Sequence, residues 1–180
     1  RVTIISEAMS RRYFANENPL GRHLGYRHPF NGIASPAIVG VIGDVRDRGR
    51  VEGIVRAHRP AIIFHAAAYK HVPMMEIHPV EAVKTNGLGT ANVLERAAEA
   101  SVAMVVVVST DKAGLGGVMG ATKLLAERVA IAMAAYLERP TILCVRLANV
   151  LGSRGSLVPL AIERMKAGRY VPLTDGRMTR

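Results

Sequence analysis

The chain contains no tryptophan, and aromatic residues make up only 4% of it. A stacking platform for single-stranded nucleic acid needs aromatic faces, so that class of function is disfavoured. A single cysteine, Cys144, excludes a disulfide framework and a cysteine metal cluster. The longest purely apolar run, Val102 to Val108, falls far short of the about 20 residues that span a bilayer. No signal-peptide pattern opens the chain, and its first residue is Arg1 rather than Met, which reads as a fragment. Blocks of like charge are also missing. Lys and Arg number 24 against 14 Asp and Glu, a net charge of +10, yet the charges are scattered. That pattern reads as a solvated, arginine-rich surface rather than a nucleic-acid patch, and it suits an acidic diphosphate ligand.

What is present is a core. Apolar residues make up 49% of 180 residues, enough for one domain or one domain with an appendage. The first 36 residues differ from the rest. Arg1–Ser6 reads as a short strand and Glu7–Phe14 as a short helix, followed by an Asn-, Pro-, Gly- and His-rich loop to Pro36. From Ala37 the pattern is regular. Strands are expected at 37–45, 61–68, 102–109 and 141–150, and helices at 50–58, 79–100, 118–137 and 157–167. Gly168 closes the last helix. Apolar strands alternating with helices imply an α/β fold, a Rossmann-like parallel sheet with helices on both faces.

Ligands in such sheets sit beyond the carboxyl ends of the strands. Those ends carry Asp44, Ala66–Lys70, Thr110–Lys112 and Asn149. The stretch at 109–123, STDKAGLGGVMGATK, is the most informative. It presents a hydroxyl, a carboxylate and an amine in succession: Thr110, Asp111 and Lys112. Ionisable groups buried at a strand end are costly unless paired, and an adjacent acid and base suits elimination chemistry. A simple loop-capping Asp–Lys pair fits the spacing equally well. Met119 and Lys123 lie four apart and share one helix face; taken alone, they read as a core filler and a surface lysine. The glycines of GLGGVMG (114–120) follow a third strand and lack the acidic partner of a dinucleotide fingerprint, so they read as a loop. His65, His71, His78 and Glu76 match no common metal-ligand spacing, and Pro73 and Pro79 are expected to interrupt any helix there. No metal site is expected.

Together these strings resemble a known family. GDVRDR (43–48), HAAAYKHVPMME (65–76), PVEAVKTN (79–86), STDKA (109–113), VMGATK (118–123), NVLGS (149–153) and MTR (178–180) are similar to the extended short-chain dehydrogenases/reductases. Within them, the match is to the nucleotide-sugar 4,6-dehydratases of polysaccharide biosynthesis, which act on substrates such as UDP-N-acetylglucosamine. The resemblance covers about three quarters of the chain, from Gly43 onward. It implies NAD or NADP as cofactor, with Asp44 and Val45 beside the adenine, Ala66, Ala67 and Ala68 beside the phosphates and ribose, and Lys123 on the nicotinamide ribose. It also implies oxidation at C4 of the sugar, with Thr110 bonding the C4 oxygen, Lys112 removing the C5 proton and Asp111 protonating the leaving C6 hydroxyl. Lys70, Asn86 and Asn149 resemble substrate contacts, and a basic pocket suits a nucleotide-diphosphate sugar. Met119 stands where most of the superfamily has tyrosine. A thioether cannot take a proton, so the base for C4 oxidation is unassigned. The loop after Ala113 is one residue shorter than usual, and Ala148 stands where glycine is usual.

The family's first strand, Gly-rich phosphate turn, helix and second strand are missing ahead of GDVRDR. Instead, RVTIISEAMSRRYFANENPLGRHL (1–24) with AIVGVIGDVR (37–46) resembles the extracytoplasmic core domain of macrolide-exporter-type ABC permeases. The expected organisation is therefore a chimera, with residues 1–36 an appendage and residues 37–180 a truncated NAD(P)-binding core. The edge of strand 37–45 would then be exposed. Lost pyrophosphate contacts imply weak or no dinucleotide binding and impaired activity. The expected location is cytoplasmic, at the inner face of the membrane in full-length relatives, with complete relatives homo-oligomeric, no nucleic acid as partner and no membrane span in this chain. The alternative is an ABC-permease module with no enzymatic activity.

Overall fold

The computed structural model describes residues 2–6, 17–18, 22, 37–42, 44–148 and 157–171. It forms two compact units, Arg1–Arg146 and Leu147–Arg180. The first contains β1 (Val2–Ser6), β2 (Ala37–Ile42), α1 (Arg48–His58), β3 (Ile62–His65), α2 (Val72–Ile77) and α3 (Pro79–Ala82). A π-helical segment (Val83–Leu88), α4 (Gly89–Glu99), β4 (Met104–Thr110), α5 (Val118–Tyr136) and β5 (Thr141–Leu147) follow, the last residue of β5 opening the second unit. The second unit carries α6 (Leu157–Lys166), closed by Gly168 at φ +63° as expected.

The strands form two hydrogen-bonded groups, β1-β2 and β3-β4-β5. β1 runs parallel to β2, from Val2 opposite Ala37 to Ser6 opposite Ile42, and it also contacts β3. The exposed edge expected for strand 37–45 is thus lined on one side, because residues from the first six supply a partner strand. β3 and β4 are parallel, with Ile62 opposite Met104 and His65 opposite Val107. Along β4, Val105, Val107 and Ser109 are buried while the alternate residues are half-buried, so both of its faces are covered. β5 departs from that expectation, with Leu143, Val145 and Leu147 all exposed. Among the described residues it stands at the end of the strand order β3-β4-β5, with a neighbour on one side only.

Local chemistry explains the helices around this sheet. Asp47 caps α1, its carboxylate accepting the Arg50 amide at 2.9 Å. Val51 and Val55, one turn apart, bury their side chains against Val93, Leu94 and Ala97 of α4 and Val105 and Val107 of β4. Full burial of a side chain such as Leu94 stabilises by roughly 1.5–3 kcal/mol. Pro73 does not interrupt a helix: it lies in the first turn of α2, where its missing N–H has no partner to lose. The expected helix 79–100 forms over Pro79–Glu99, with its middle widened into the π segment.

Candidate active site

β3 and β4 are parallel, so the residues following them leave the sheet at one edge. At the end of β4 the Thr110 hydroxyl donates to Asp111 Oδ1 at 3.1 Å and accepts the Lys112 amide at 3.3 Å. Lys112 Nζ pairs with the same carboxylate oxygen at 2.9 Å. Hydroxyl, carboxylate and ammonium therefore form one cluster. The expected burial of the charged pair does not hold, since both side chains are 45% exposed. The chain turns away from the sheet at this point, leaving the acid and base open to a solute and their attraction screened by water.

Lys123, on α5, returns to this strand. Its ammonium donates to the Val108 carbonyl at 2.6 Å, two residues before Thr110. Burial pushes the Lys123 pKa down, opposed by the Glu127 carboxylate and by Cys144. Gly120 permits the close approach of α5, because a Cβ there would lie 2.7 Å from the carbonyl oxygens of both Lys112 and Gly114. Met119 shares the first turn of the helix, its carbonyl accepting the Thr122 hydroxyl at 3.1 Å. The N-terminus of α5 has no cap of its own, Gly117 standing at that position. Glu76 of α2 supplies one, its Oε1 accepting the Val118 amide at 2.8 Å.

A hydrogen-bonded chain ties the loop after β3 to α5. Buried His65 donates from Nε2 to Thr90 Oγ1 at 2.9 Å, and Thr90 donates to the Asn86 carbonyl at 2.6 Å. The Asn86 amide accepts the Tyr69 N–H at 2.7 Å and donates to the Tyr69 carbonyl at 3.1 Å and to Thr122 Oγ1 at 3.0 Å. Asn86, expected as a substrate contact, is 1% exposed. Its side chain thus holds the backbone beside Lys70. Lys70 and Ala66 are exposed, and Ala67 and Ala68 are half-buried. Burial pushes the His65 pKa down to about 4, with the Lys123 ammonium adding to the effect.

Beyond β2, Asp44 accepts the Arg46 amide at 2.9 Å and the Arg46 guanidinium, which holds its carboxyl below the usual range. Val45 is 4% exposed, its side chain in the core against Gly89 and its carbonyl accepting from Asn92 at 3.1 Å. Asn149 lies outside the described residues. Among the described residues, no three His, Cys, Asp or Glu side chains are placed to share a metal ion, and no helix is long and apolar enough to cross a membrane.

Two features had no mark in single motifs: the Glu76 cap, and a two-point pair between Glu127 of α5 and Arg146 of β5. The signal for the first was present, since an apolar helix opening on glycine needs a cap from elsewhere.

A family model described as "Polysaccharide biosynthesis protein" matches residues 27–180. The capsular polysaccharide biosynthesis protein CapD of Staphylococcus aureus is 44% identical over 143 residues, 79% of this chain and 24% of that protein. A UDP-glucose 4-epimerase of Rickettsia canadensis is 45% identical over 151 residues, 82% of this chain and 44% of that protein. Among solved structures, Pen from Bacillus thuringiensis superposes with a TM-score of 0.72 at 32% identity, covering 97% of this chain and 50% of that one. DesIV, a dTDP-glucose 4,6-dehydratase of Streptomyces venezuelae solved with NAD and TYD bound, superposes with a TM-score of 0.70 at 22% identity. It covers 96% of this chain and 64% of its own, and the likeness is one of fold alone. The chain spans from 24% to 44% of the length of these curated relatives.

Proposed function

Because the chain belongs to the polysaccharide biosynthesis protein family over residues 27–180, we propose that it serves nucleotide-sugar chemistry as a 4,6-dehydratase. The substrate class is a nucleotide-diphosphate sugar such as UDP-N-acetylglucosamine. The observation that carries this reading is the Thr110–Asp111–Lys112 cluster at the end of β4, with the Lys123 ammonium on the same strand. An elimination across C5–C6 needs one group to take the C5 proton and another to protonate the departing C6 oxygen. Lys112 takes the first role and Asp111 the second. Transfer of a proton along their 2.9 Å contact gives the neutral pair from which the step starts. The step returns the ion pair, and the net loss is one water. Thr110 donates to the C4 oxygen; the proton of the C4 hydroxyl passes to water at this exposed edge, and the Lys112 ammonium protonates C5 as the hydride returns to C6, Asp111 regaining its proton from water.

The residues fit NAD or NADP. Small side chains at Ala66, Ala67 and Ala68 leave the backbone beyond β3 approachable. The Asp44 carboxylate is 42% exposed beyond β2. Lys123 has ammonium donors beyond the one spent on Val108. When bound, the cofactor supplies the acceptor for the C4 hydride and returns it at C6. Asp44 and Ala66–Ala68 would hold its adenosine side and Lys123 its nicotinamide ribose. Lys70 and Asn149 would contact the substrate, and Asn86 would act by fixing the Tyr69 backbone.

The Gly-rich phosphate turn that the resemblance implies does not stand in the sequence between β1 and β2. Each missing charge-assisted contact costs roughly 1.5–3 kcal/mol, so the expected dissociation constant is millimolar, about three orders of magnitude above a micromolar site. A cytoplasmic location and a homo-oligomer belong to the same proposal. So does a permease-like origin for residues 1–36, of which residues 1–26 lie outside the family match.

The test is incubation of the chain with UDP-N-acetylglucosamine and millimolar NAD or NADP in deuterium oxide. Deuterium at C5 and a 4-keto, 6-deoxy product are expected. A C4 epimer without C5 exchange would instead favour the epimerase reading, to which the similarity with a UDP-glucose 4-epimerase points. No turnover with bound cofactor would overturn both and leave the permease-module alternative.

A further inference from the structure

We propose that Glu76 is a positioning residue of this site: its carboxylate sets the first turn of α5 and, through it, the place of Lys123 against the strand that carries Thr110, Asp111 and Lys112. The inference rests on the dehydratase reading for its consequence in turnover, but its geometry stands alone.

Three observations converge on that turn. Val118 N–H, the first amide of α5, is bonded by Glu76 Oε1 at 2.8 Å from a residue 42 positions earlier. Gly117 stands at φ +155°, a conformation that side chains rarely adopt, and a Cβ there would come within 2.9 Å of that oxygen. On the other side, Gly120 lies against the carbonyls of Lys112 and Gly114, and Gly114 N–H bonds the Gly120 carbonyl at 3.2 Å. The turn is held between a carboxylate from α2 and the backbone of the candidate site. Lys123 is one turn further on, and its ammonium reaches Val108. A negative charge at a helix N-terminus is favourable both by hydrogen bonding and by the helix dipole. Loss of the carboxylate leaves the Val118 amide without this acceptor, and the turn frays. Lys123 then loses its fixed height along β4.

The experiment measures two things on the full chain. The first is the acetylation rate of Lys123 by acetic anhydride, followed by mass spectrometry, which needs no cofactor and no activity. Glu76→Ala is expected to raise it roughly fivefold, the opening factor that follows from losing one cap. Gly117→Ala, which keeps the carboxylate but crowds it, is expected to do the same. Glu76→Gln, which keeps the accepting oxygen, restores protection. The second is turnover with nucleotide sugar and cofactor, where Glu76→Ala lowers kcat more than it raises KM for the sugar. Unchanged Lys123 reactivity in a folded Glu76→Ala chain overturns the proposal. If Glu76→Ala does not fold, Gly117→Ala against Glu76→Gln decides it in the same way. Altered reactivity in a chain whose wild type neither binds cofactor nor turns over sugar keeps the positioning role and overturns the dehydratase reading instead.

Discussion

Arg146 of β5 grips the carboxylate of Glu127 of α5 at two points, Nε to Oε1 at 2.9 Å and Nη2 to Oε2 at 2.7 Å. The two ends differ in setting. The Glu127 side chain is 7% exposed and the Arg146 side chain 51%. Burial of the acid is tolerable because the guanidinium neutralises it, and the same contact holds the Glu127 carboxyl below its ordinary range. Glu127 in turn lies one turn beyond Lys123 and favours its charged form.

The asymmetry makes a prediction. Arg146→Met strands a buried carboxylate and should destabilise the chain, by less than the breaking of a fully buried pair because the arginine is half in water. Glu127→Met in the same background should recover most of that loss. Urea unfolding at neutral pH measures both, and equal midpoints for wild type and Arg146→Met would show the pair to be inert. The pH dependence has a fixed sign. Glu127 has a lowered pKa in the folded state, so its contribution is present above the unfolded value and is lost as pH falls through the folded one.

His65 gives a second, independent acid sensitivity. Its folded pKa is about 4 against an ordinary value of 6.5, because the ring is buried, with the Lys123 ammonium adding to the effect. Below 6.5 the unfolded chain binds a proton that the folded chain refuses. Stability should therefore fall by roughly 3 kcal/mol as pH drops from 6.5 toward 4, then level off. His65→Gln, unable to titrate, should remove that part of the slope in urea midpoints taken between pH 7 and 4.5. An unchanged slope would place the acid sensitivity elsewhere.

Gly120 tests how tightly α5 rests on the candidate site. A methyl group at this position would stand 2.7 Å from two carbonyl oxygens, neither of which belongs to a flexible side chain. Gly120→Ala should cost about 1–3 kcal/mol in spite of alanine's better helix propensity. Thermal unfolding checks it, and a stabilised variant would mean that the loop at Lys112–Gly114 gives way freely.

Much of this arrangement was legible in the residue order, and the failures have physical reasons. β3, β4 and α5 announced themselves because continuous apolar runs and helical spacing are local signals. The local pairing of Thr110, Asp111 and Lys112 could be read because the three are consecutive. The exposure of Asp111 and Lys112 could not be read, since burial depends on what leaves the sheet beside them. The apolar residues of β5 looked like those of a covered strand, because an apolar run does not say how many neighbours a strand has. Glu76 was hidden because its partner is 42 positions away. The π segment at Val83–Leu88 was hidden because periodicity does not register one widened turn, yet that turn carries Asn86 to the Tyr69 backbone. Asn86 is thereby buried with its amide bonded to the Tyr69 backbone, a contact that no motif announces.

The chemistry of the cluster can be divided by substitution. Lys112→Ala removes the proposed base for C5, so deuterium incorporation at C5 should fall by about 10²- to 10⁴-fold, the range for loss of one acid–base group. Oxidation at C4, which does not need Lys112, should continue and appear as reduced cofactor. Asp111→Asn removes the acid instead. It also removes the carboxylate to which Lys112 is bonded at 2.9 Å. C5 exchange should therefore persist at a reduced rate, while loss of water nearly stops and the 4-keto sugar retains its C6 oxygen. The two variants thus separate proton removal from departure of the leaving group, and NMR of the sugar in deuterium oxide reads both. An epimerase would be indifferent to Lys112 in C4 inversion and would exchange nothing at C5. Equal loss of C4 oxidation in both variants would mean that the pair only shapes the turn after β4.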